Sequence, residues 1–173
     1  DNTCYFLCTD FDDKNCEHGY KNDVLAFVNV CNSWNVPCYI ERSRSGNGAH
    51  VWIFFDKPIT ALKARKLGNA ILTEAMDREA RLSFKSYDRF FPNQDSLPEG
   101  GLGNLVALPL QGMARRKGNS VFVDNKFNAY EDQWTFLSQI HKFSEAELDL
   151  LLRQHTVPTL GELSKSSETK PWE

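Results

Sequence analysis

The spacing of apolar positions changes along the chain, and the changes predict alternating strands and helices. A short apolar and aromatic run over residues 4–9 predicts a first strand. Apolar residues at helical spacing over residues 23–34, preceded by Asn22 as a possible cap, predict a helix. Two further strands, over residues 38–42 and 50–55, flank a glycine-rich turn and predict a hairpin.

A second helix and a fourth strand complete the core pattern. Pro58 and Thr60 predict the start of a helix that continues to about residue 80. Its apolar positions, which we expect to face inward, are Leu62, Leu67, Ile71 and Ala75. A strand over residues 84–91 then gives the order β-α-β-β-α-β. This order predicts an α/β (α+β) fold with a ferredoxin-like, RRM-like split βαβ sheet.

The C-terminal part predicts an added α/β unit and helices. The predicted elements are a buried strand over 104–108, a strand over 120–123, a helix over 131–141 and a last helix ending near residue 154. Ser144 and Glu147 form the capping box that would open the last helix. Residues 156–173 are rich in Pro, Ser and Thr, so we predict one domain over residues 1–155, followed by a tail or linker.

Composition is that of a globular chain. Hydrophobic residues make up 41 % of the 173 and charged residues 25 %, which excludes a largely disordered protein. The longest apolar runs, such as 51–55, are far too short to span a membrane. The chain begins without Met and almost directly on a strand, so we expect further domains in a longer polypeptide.

The five cysteines favour reduced thiols. An odd number in a domain of this size is typical of a cytoplasmic protein without structural disulfides. Cys4, Cys8, Cys16 and His18 could in principle bind zinc, but their spacing matches no strong zinc pattern. Buried, metal-free cysteines are the better interpretation.

Two acids follow the first strand. Asp10 and Asp12 are two residues apart, so in extended backbone their carboxylates point to the same side. Carboxylates this close repel each other unless a cation neutralises them, and hard divalent cations prefer such oxygen ligands. The alternative is a solvated acidic turn at a strand end.

The turn of the predicted hairpin carries polar donors. Glycines allow backbone amides to approach a phosphate, and Arg44, Ser45 and His50 can donate hydrogen bonds to its oxygens. The alternative is an ordinary Gly/Asn turn followed by a structural histidine. The turn is longer than a tight hairpin requires, which favours binding.

A third acid and a basic loop lie further along the chain. Asp88 sits within an apolar strand, where a carboxylate is costly unless it is paired or bound, and Asp95 in the next loop competes with it as a metal ligand. Net charge is −3, so the chain does not indicate nucleic-acid binding as a whole. The consecutive Arg115, Arg116 and Lys117 could nevertheless contact phosphates, or form a solvated face.

Taken together, the ordered motifs resemble the archaeo-eukaryotic primase superfamily. Asp10-Phe11-Asp12 looks like its first motif, the segment S-G-N-G-A-H is similar to its second, and Tyr87-Asp88 looks like its third. The strings around them are most similar to the primase-polymerase branch found in TOTE conflict systems and in CRISPR-associated primase-polymerases. The resemblance covers roughly residues 4–140. It departs from the pattern at Gly48, where a Ser often stands two residues before the histidine.

The resemblance implies a template-dependent nucleotidyltransferase that uses nucleoside triphosphates, a single-stranded DNA template and a primer. It implies two divalent metal ions, Mg²⁺ or Mn²⁺, on Asp10, Asp12 and either Asp88 or Asp95. The implied nucleotide-binding residues are Arg44, Ser45, Gly48, His50, Arg115 and Lys117, and the implied nucleic-acid contacts are Arg42, Arg116 and Asn119. A metal-dependent nuclease or a non-catalytic RRM-like binding module are the alternatives.

Overall fold

The structure, a computed structural model, describes residues 2–13, 19–97, 100–101 and 103–155. Its strands are β1 (Thr3–Asp12), β2 (Tyr39–Arg42), β3 (Gly48–Thr60), β4 (Tyr87–Phe91) and β5 (Val121–Val123). Its helices are α1 (Tyr20–Ser33), α2 (Ala61–Arg78), α3 (Gly112–Arg115), α4 (Gln133–Ser138) and α5 (Glu145–His155). The predicted tail over 156–173 lies outside the described residues.

The five strands form one sheet in the order β4-β1-β3-β2-β5, with every neighbouring pair antiparallel. The first four strands have the split βαβ arrangement, which confirms the predicted ferredoxin-like core. The fifth strand adds to the β2 edge. The hairpin prediction is also correct, because β2 and β3 pair through residues 39–42 and 49–52.

One face of the sheet is covered by helices and holds the main core. Alternate residues of the central strands, such as Leu7 and Phe11 on β1 and Val51 and Ile53 on β3, are fully buried there. Helices α1 and α2 pack against this face and against each other, and α5 packs against α2 and β3. This helix face supplies most of the buried apolar area, so we assign stability chiefly to it.

The opposite face of the sheet, called the open face below, carries a second and smaller cluster. Cys8, Trp52, Phe91 and Phe122 are buried there. Val106 and residues of α4 pack over this cluster from outside the sheet. The positions next to it on β1 and β3 are Asp10 and His50, so the predicted site residues lie on the open face.

Two details of the helices differ from the sequence prediction. Helix α1 begins at Tyr20 after Gly19 as N-cap, not after Asn22, because Tyr20 is buried and adds a turn to the packed face. Leu62 is 44 % exposed rather than inward. The buried stripe of α2 runs through Ala61, Ala64, Leu67 and Ile71, and Leu62 lies off it. Thr60 caps α2 by accepting a hydrogen bond from the Lys63 amide.

The predicted buried strand over 104–108 was wrong. These residues form no strand, and Leu105 and Leu108 are 87 % and 64 % exposed. The segment pairs with neither edge strand of the sheet, β4 or β5. It crosses the open face instead, where Val106 packs on the aromatic cluster.

Within the described ranges, none of the helices combines the length and the apolar character that crossing a bilayer requires. Cys4, Cys8, Cys31 and Cys38 are free thiols. Cys16 and His18, two of the residues considered for zinc, lie outside the described residues.

Candidate active site

A cavity on the open face brings together most of the predicted acidic and phosphate-binding residues. Its volume is about 290 Å³, and it is lined by Asp10, Asp12, Ser43, Arg44, Ser45, His50 and Ala107. Strand β1 supplies the acids, the β2–β3 turn supplies the polar donors, and the segment that crosses the open face supplies Ala107. The acids and the residues that could donate hydrogen bonds to a phosphate are more than thirty residues apart in sequence, yet they line one cavity.

The register of β1 and β3 places the two acids. Asp10 lies opposite His50 and Asp12 lies opposite Gly48 in a pairing without interruption between them. Two residues along a strand return to the same face, so both carboxylates belong to the open face. The geometry predicted from their spacing is therefore present.

Asp10 is an acid in an unfavourable electrostatic position. Burial raises its pKa, the charge of His50 lowers it, and the nearby carboxylates of Asp12 and Asp88 raise it further. The pKa of Asp10 is raised overall, even with Arg89 nearby. Excess negative charge is thus concentrated at this end of β1, and a bound cation would relieve it.

His50 links that acid to a second, buried one. Its Nε2 lies 3.5 Å from Asp10 Oδ1, while its Nδ1 lies 2.9 Å from Glu41 Oε2. Burial alone lowers the pKa of His50, but the hydrogen bond to Glu41 and the charges of Glu41, Asp10 and Asp12 raise it overall. The raised pKa increases the share of the cationic form, which suits contact with an anion.

Glu41 is the residue that the sequence interpretation missed. It is 1 % exposed, and its carboxylate also accepts hydrogen bonds from Trp52 Nε1 at 2.8 Å and Ser120 Oγ at 3.2 Å. The signal was present: an acid inside an apolar strand is costly unless it is paired, the same argument that singled out Asp88. In the hairpin register Glu41 lies directly opposite His50.

Gly48 has a steric role beside the acids. A Cβ atom at this position would lie 2.3 Å from the carbonyl oxygen of Phe11 and 3.1 Å from Asp12 Oδ1. A side chain there would push β3 away from β1. Glycine at this position thus permits the close approach of the two strands.

The basic loop lies against the hairpin turn. The side-chain amide of Asn119 donates to the Arg44 carbonyl at 3.4 Å, and the backbone amide of Ser120 donates to the Ser43 carbonyl at 3.4 Å. The consecutive basic residues Arg115, Arg116 and Lys117 are exposed. The predicted phosphate-binding turn and the basic loop are therefore neighbours, although the loop residues do not line the cavity itself.

Arg42 lies away from the cavity. Its guanidinium donates to the Gly118 and Phe127 carbonyls, both at 2.6 Å. Neighbouring Glu41 belongs to the open face, so Arg42 points to the other side of β2. The structure thus gives Arg42 a structural contact with the end of the basic loop, and it does not group Arg42 with the other predicted nucleic-acid contacts.

The two candidates for the third acid occupy different places. Asp88 is the extra residue at an irregularity where β4 pairs with β1, and its charge acts on Asp10. Asp88 also accepts a hydrogen bond from Arg89 Nε at 2.7 Å. Asp95 instead pairs with Arg65 of α2 at 2.7 Å and lines a separate, larger and mainly apolar cavity of about 440 Å³. The geometry favours Asp88.

The carboxylates near the cavity are suitable ligands for a hard divalent cation, but they are not yet arranged as a complete coordination site. Carboxylate oxygens are the ligands such cations prefer, and burial, together with the nearby carboxylates of Asp12 and Asp88, raises the pKa of Asp10. Across the described ranges, no three acidic, histidine or cysteine side chains are grouped closely enough to hold a metal ion. Asp10 and Asp12 are the pair that would bind it, with Asp88 beside them.

The aromatic residues of the central strands on the open face are only partly accessible. Trp52 stacks on Phe54, with ring centroids 5.8 Å apart, but Trp52 is only 1 % exposed. Phe6 and Phe54 lie opposite each other on β1 and β3 and are half-buried, and Val106 and α4 residues pack on the same cluster. Base stacking on Trp52 is therefore blocked, whereas Phe6 and Phe54 keep part of their surface exposed.

Comparison with known families agrees with this geometry. The family model for the archaeo-eukaryotic primase domain of the TOTE conflict system matches residues 1–151, which includes every strand and every residue of the cavity. A comparison with curated proteins gave no match. The chain belongs to the archaeo-eukaryotic primase domain family of TOTE conflict systems.

Proposed function

We propose that this chain is a template-dependent nucleotidyltransferase of the primase-polymerase type, a DNA-directed DNA or RNA polymerase. It would join nucleoside triphosphates to a primer 3′-hydroxyl or to an initiating nucleotide. The observation that carries the proposal is the single cavity in which an acidic pair, Asp10 and Asp12, meets His50 and the polar turn. A nuclease would need the acids but not the donors for a triphosphate.

The acids would hold the divalent cations. Asp10 and Asp12, with Asp88, would bind Mg²⁺ or Mn²⁺, which when bound lower the pKa of an attacking hydroxyl and neutralise the pyrophosphate leaving group. The uncompensated charge around Asp10 supports this role. Strands β1 and β4 fix these side chains on a paired sheet, and such preorganisation supplies much of the catalysis in phosphoryl transfer.

The other side of the cavity would bind the triphosphate. His50 would direct Nε2 to a phosphate oxygen, and Arg44 and Ser45 would donate from the turn. Arg115 and Lys117 of the neighbouring loop would extend this positive rim toward the phosphates. Arg116 and Asn119 would contact the backbone of a single-stranded DNA template, a contact that depends on salt concentration.

The wider setting is part of the same proposal. Free thiols at Cys4, Cys8, Cys31 and Cys38 support a reducing, cytoplasmic environment. Other domains of a longer polypeptide would supply further contacts to primer and template.

The acidic pair provides the direct test. We expect Asp10→Ala combined with Asp12→Ala to abolish primer extension in Mg²⁺ and in Mn²⁺, as measured on a labelled primer–template by gel. The matched control, Asp77→Ala with Glu131→Ala, removes two exposed acids elsewhere and should keep wild-type extension. Retention of extension by the first variant would remove the catalytic assignment. Degradation of the primer in place of extension by the wild type would favour a nuclease.

The same variant should not lose its fold. The folded protein raises the pKa of Asp10, so the ionised carboxylate destabilises the folded state at neutral pH. Removing both acids should therefore leave the melting temperature unchanged or higher in the presence of a chelator. A large fall in melting temperature would mean that the loss of activity reports unfolding, and the activity result would then not support the assignment.

A further inference from the structure

One buried carboxylate stands behind the histidine of the cavity. Glu41 is 1 % exposed and belongs to the strand next to His50, directly opposite it in register. It does not line the cavity, so its contact with bound nucleotide would be indirect. Its influence on the site must pass through the groups that it holds.

Three donors converge on Glu41. Oε2 accepts from His50 Nδ1 at 2.9 Å and from Trp52 Nε1 at 2.8 Å, while Oε1 accepts from Ser120 Oγ at 3.2 Å. Trp52 is almost completely buried, so its indole fixes the position of the Oε2 atom. The carboxylate thus has partners on both oxygens, which is what a buried charge requires.

The hydrogen bond to Nδ1 determines what the other ring nitrogen can do. With a proton on Nδ1 shared with Glu41, the ring plane is fixed and Nε2 is left to face Asp10, 3.5 Å away, and the cavity. Without this acceptor the imidazole could rotate or exchange its proton between the two nitrogens. Hydrogen bonds of this kind orient functional histidines in proteins.

Ser120 connects the basic loop to the same carboxylate. It directly follows Asn119, its Oγ donates to Glu41, and that Oγ also accepts from the Gln111 amide at 3.2 Å. Both ends of the loop over 111–120 are therefore fastened at Ser120. Glu41 therefore links His50 and the end of the basic loop, at Ser120, in one hydrogen-bond network.

We propose that Glu41 is a positioning residue, which holds His50 through Nδ1 so that Nε2 faces the triphosphate and which anchors the basic loop through Ser120. The inference rests on the proposed function for its consequence, triphosphate binding. The structural part of the proposal, the orientation of the His50 ring by Glu41, can be measured without any substrate.

The first measurement is the protonation pattern of the histidine ring. In long-range ¹H–¹⁵N spectra of the wild type, we expect Nδ1 of His50 to carry a proton, the signal being assigned by its loss in His50→Ala. Glu41→Met, which keeps the length but removes the acceptor, should take the proton off Nδ1 and shift His50 toward the neutral form that is protonated on Nε2 alone. Glu41→Gln keeps an acceptor oxygen and should retain much of the wild-type pattern. An unprotonated Nδ1 in the wild type, or an unchanged pattern in Glu41→Met, would overturn the proposal.

The second measurement is the affinity for a non-hydrolysable nucleoside triphosphate by calorimetry. Glu41→Met should weaken binding roughly tenfold or more, as expected for loss of an orienting partner. In a His50→Ala background, Glu41→Met should weaken binding much less, because the group through which it acts is gone. An equal loss in both backgrounds would contradict action through His50.

Trp52→Phe is the matched control. It removes a donor that helps to fix Oε2 but keeps the carboxylate that accepts from His50 Nδ1, so it should leave the Nδ1 proton in place and weaken triphosphate binding far less than Glu41→Met. If the wild type binds no triphosphate while the ring signal behaves as expected, the proposed function fails and the orientation of His50 by Glu41 stands. If the wild type binds triphosphate but the His50 ring signal does not respond to Glu41→Met, the proposed function stands and the orientation of His50 by Glu41 fails.

Discussion

At the scale of residues, charges of alternating sign form a row across four strands of the open face. Arg89 of β4 lies opposite Asp10 of β1, which lies opposite His50 of β3, which lies opposite Glu41 of β2. Opposite charges on adjacent strands stabilise each other, and this explains how a sheet tolerates two buried or half-buried acids. Asp12 and Asp88 add negative charge beside this row, so the excess of negative charge lies where we propose that a cation binds.

The third acid gives a prediction at this scale. We expect Asp88→Asn to slow single-turnover primer extension by a hundredfold or more, roughly the several kcal/mol expected for a lost metal ligand. Asp95→Asn should have little effect, because Asp95 is exposed and pairs with Arg65 beside another cavity. Quench-flow extension assays at saturating metal would measure both. The opposite ranking would place the third ligand in the loop.

Gly48 gives a second residue-scale prediction. An added Cβ would meet the Phe11 carbonyl at 2.3 Å, and a backbone atom cannot rotate away as a side chain can. Gly48→Ala should therefore lower the free energy of unfolding by about 1–3 kcal/mol and weaken triphosphate binding as β3 shifts. Gly112→Ala is the control, because a Cβ there meets nothing within 4 Å. Urea denaturation would detect the difference, and equal stability of the two variants would refute the steric role.

The sequence predicted the residues that line the cavity better than the residues that hold them in place. Carboxylates two residues apart on a strand must share a face, so spacing alone was enough to place Asp10 and Asp12 together. Spacing could not place Arg42, because its two acceptor carbonyls, of Gly118 and Phe127, lie more than seventy residues away in sequence. Glu41 was missed because its place in an apolar strand shows that it must be paired but not that its partners are His50, Trp52 and Ser120.

At the scale of elements, the periodicity of apolar residues predicted all four core strands and both core helices to within a few residues. It failed over 104–108, where an apolar run indicates burial but cannot say against what. That segment packs Val106 on the sheet and leaves Leu105 in solvent, so its apolar residues do not share one buried environment. The helix ends were better defined wherever a side chain caps them, as at Thr60 and Asp132.

The capping box of α5 gives a prediction at this scale. The Ser144 hydroxyl donates to Glu147 Oε2 at 2.5 Å and the Ser144 amide donates to the same atom at 2.9 Å, and these two bonds lower the pKa of Glu147. In return, the Glu147 amide donates to Ser144 Oγ at 3.3 Å. A lowered pKa in the folded state means that ionised Glu147 stabilises the fold above the ordinary glutamate pKa. This contribution is lost as the pH falls through the lowered pKa. Wild type should thus be more stable than Glu147→Gln at pH 7.

Chemical denaturation at a series of pH values would measure that difference. It should shrink toward zero at the most acidic pH at which the protein stays folded. Ser144→Ala, which removes the hydroxyl cap, should cost about 0.5–2 kcal/mol. Glu131→Gln, at an exposed acid outside the helices, serves as the control. A difference that stays constant with pH would contradict the electrostatic part of the argument.

At the scale of the whole molecule, the two faces of the sheet have different roles. The helix face buries the main apolar core, and the open face carries the charged row and the cavity. Because adjacent residues of a strand point to opposite faces, β1 and β3 serve both tasks with alternate positions. Changes in the helix layer should therefore alter stability with little effect on the site, whereas changes to the charged residues of the open face should act on the site first.

Helix α5 allows this separation to be tested far from the cavity. Leu148 is fully buried in the main core, whereas Leu150 on the same helix is 59 % exposed. Leu148→Ala should lower the free energy of unfolding by about 2–5 kcal/mol, because it removes buried methyl groups and leaves a cavity. Leu150→Ala should change it by no more than about 0.5 kcal/mol. Below the unfolding transition, both variants should bind a non-hydrolysable triphosphate with wild-type affinity in calorimetry. Weaker binding by folded Leu148→Ala would mean that the helix layer and the open face are coupled, and that α5 contributes to the site through the sheet.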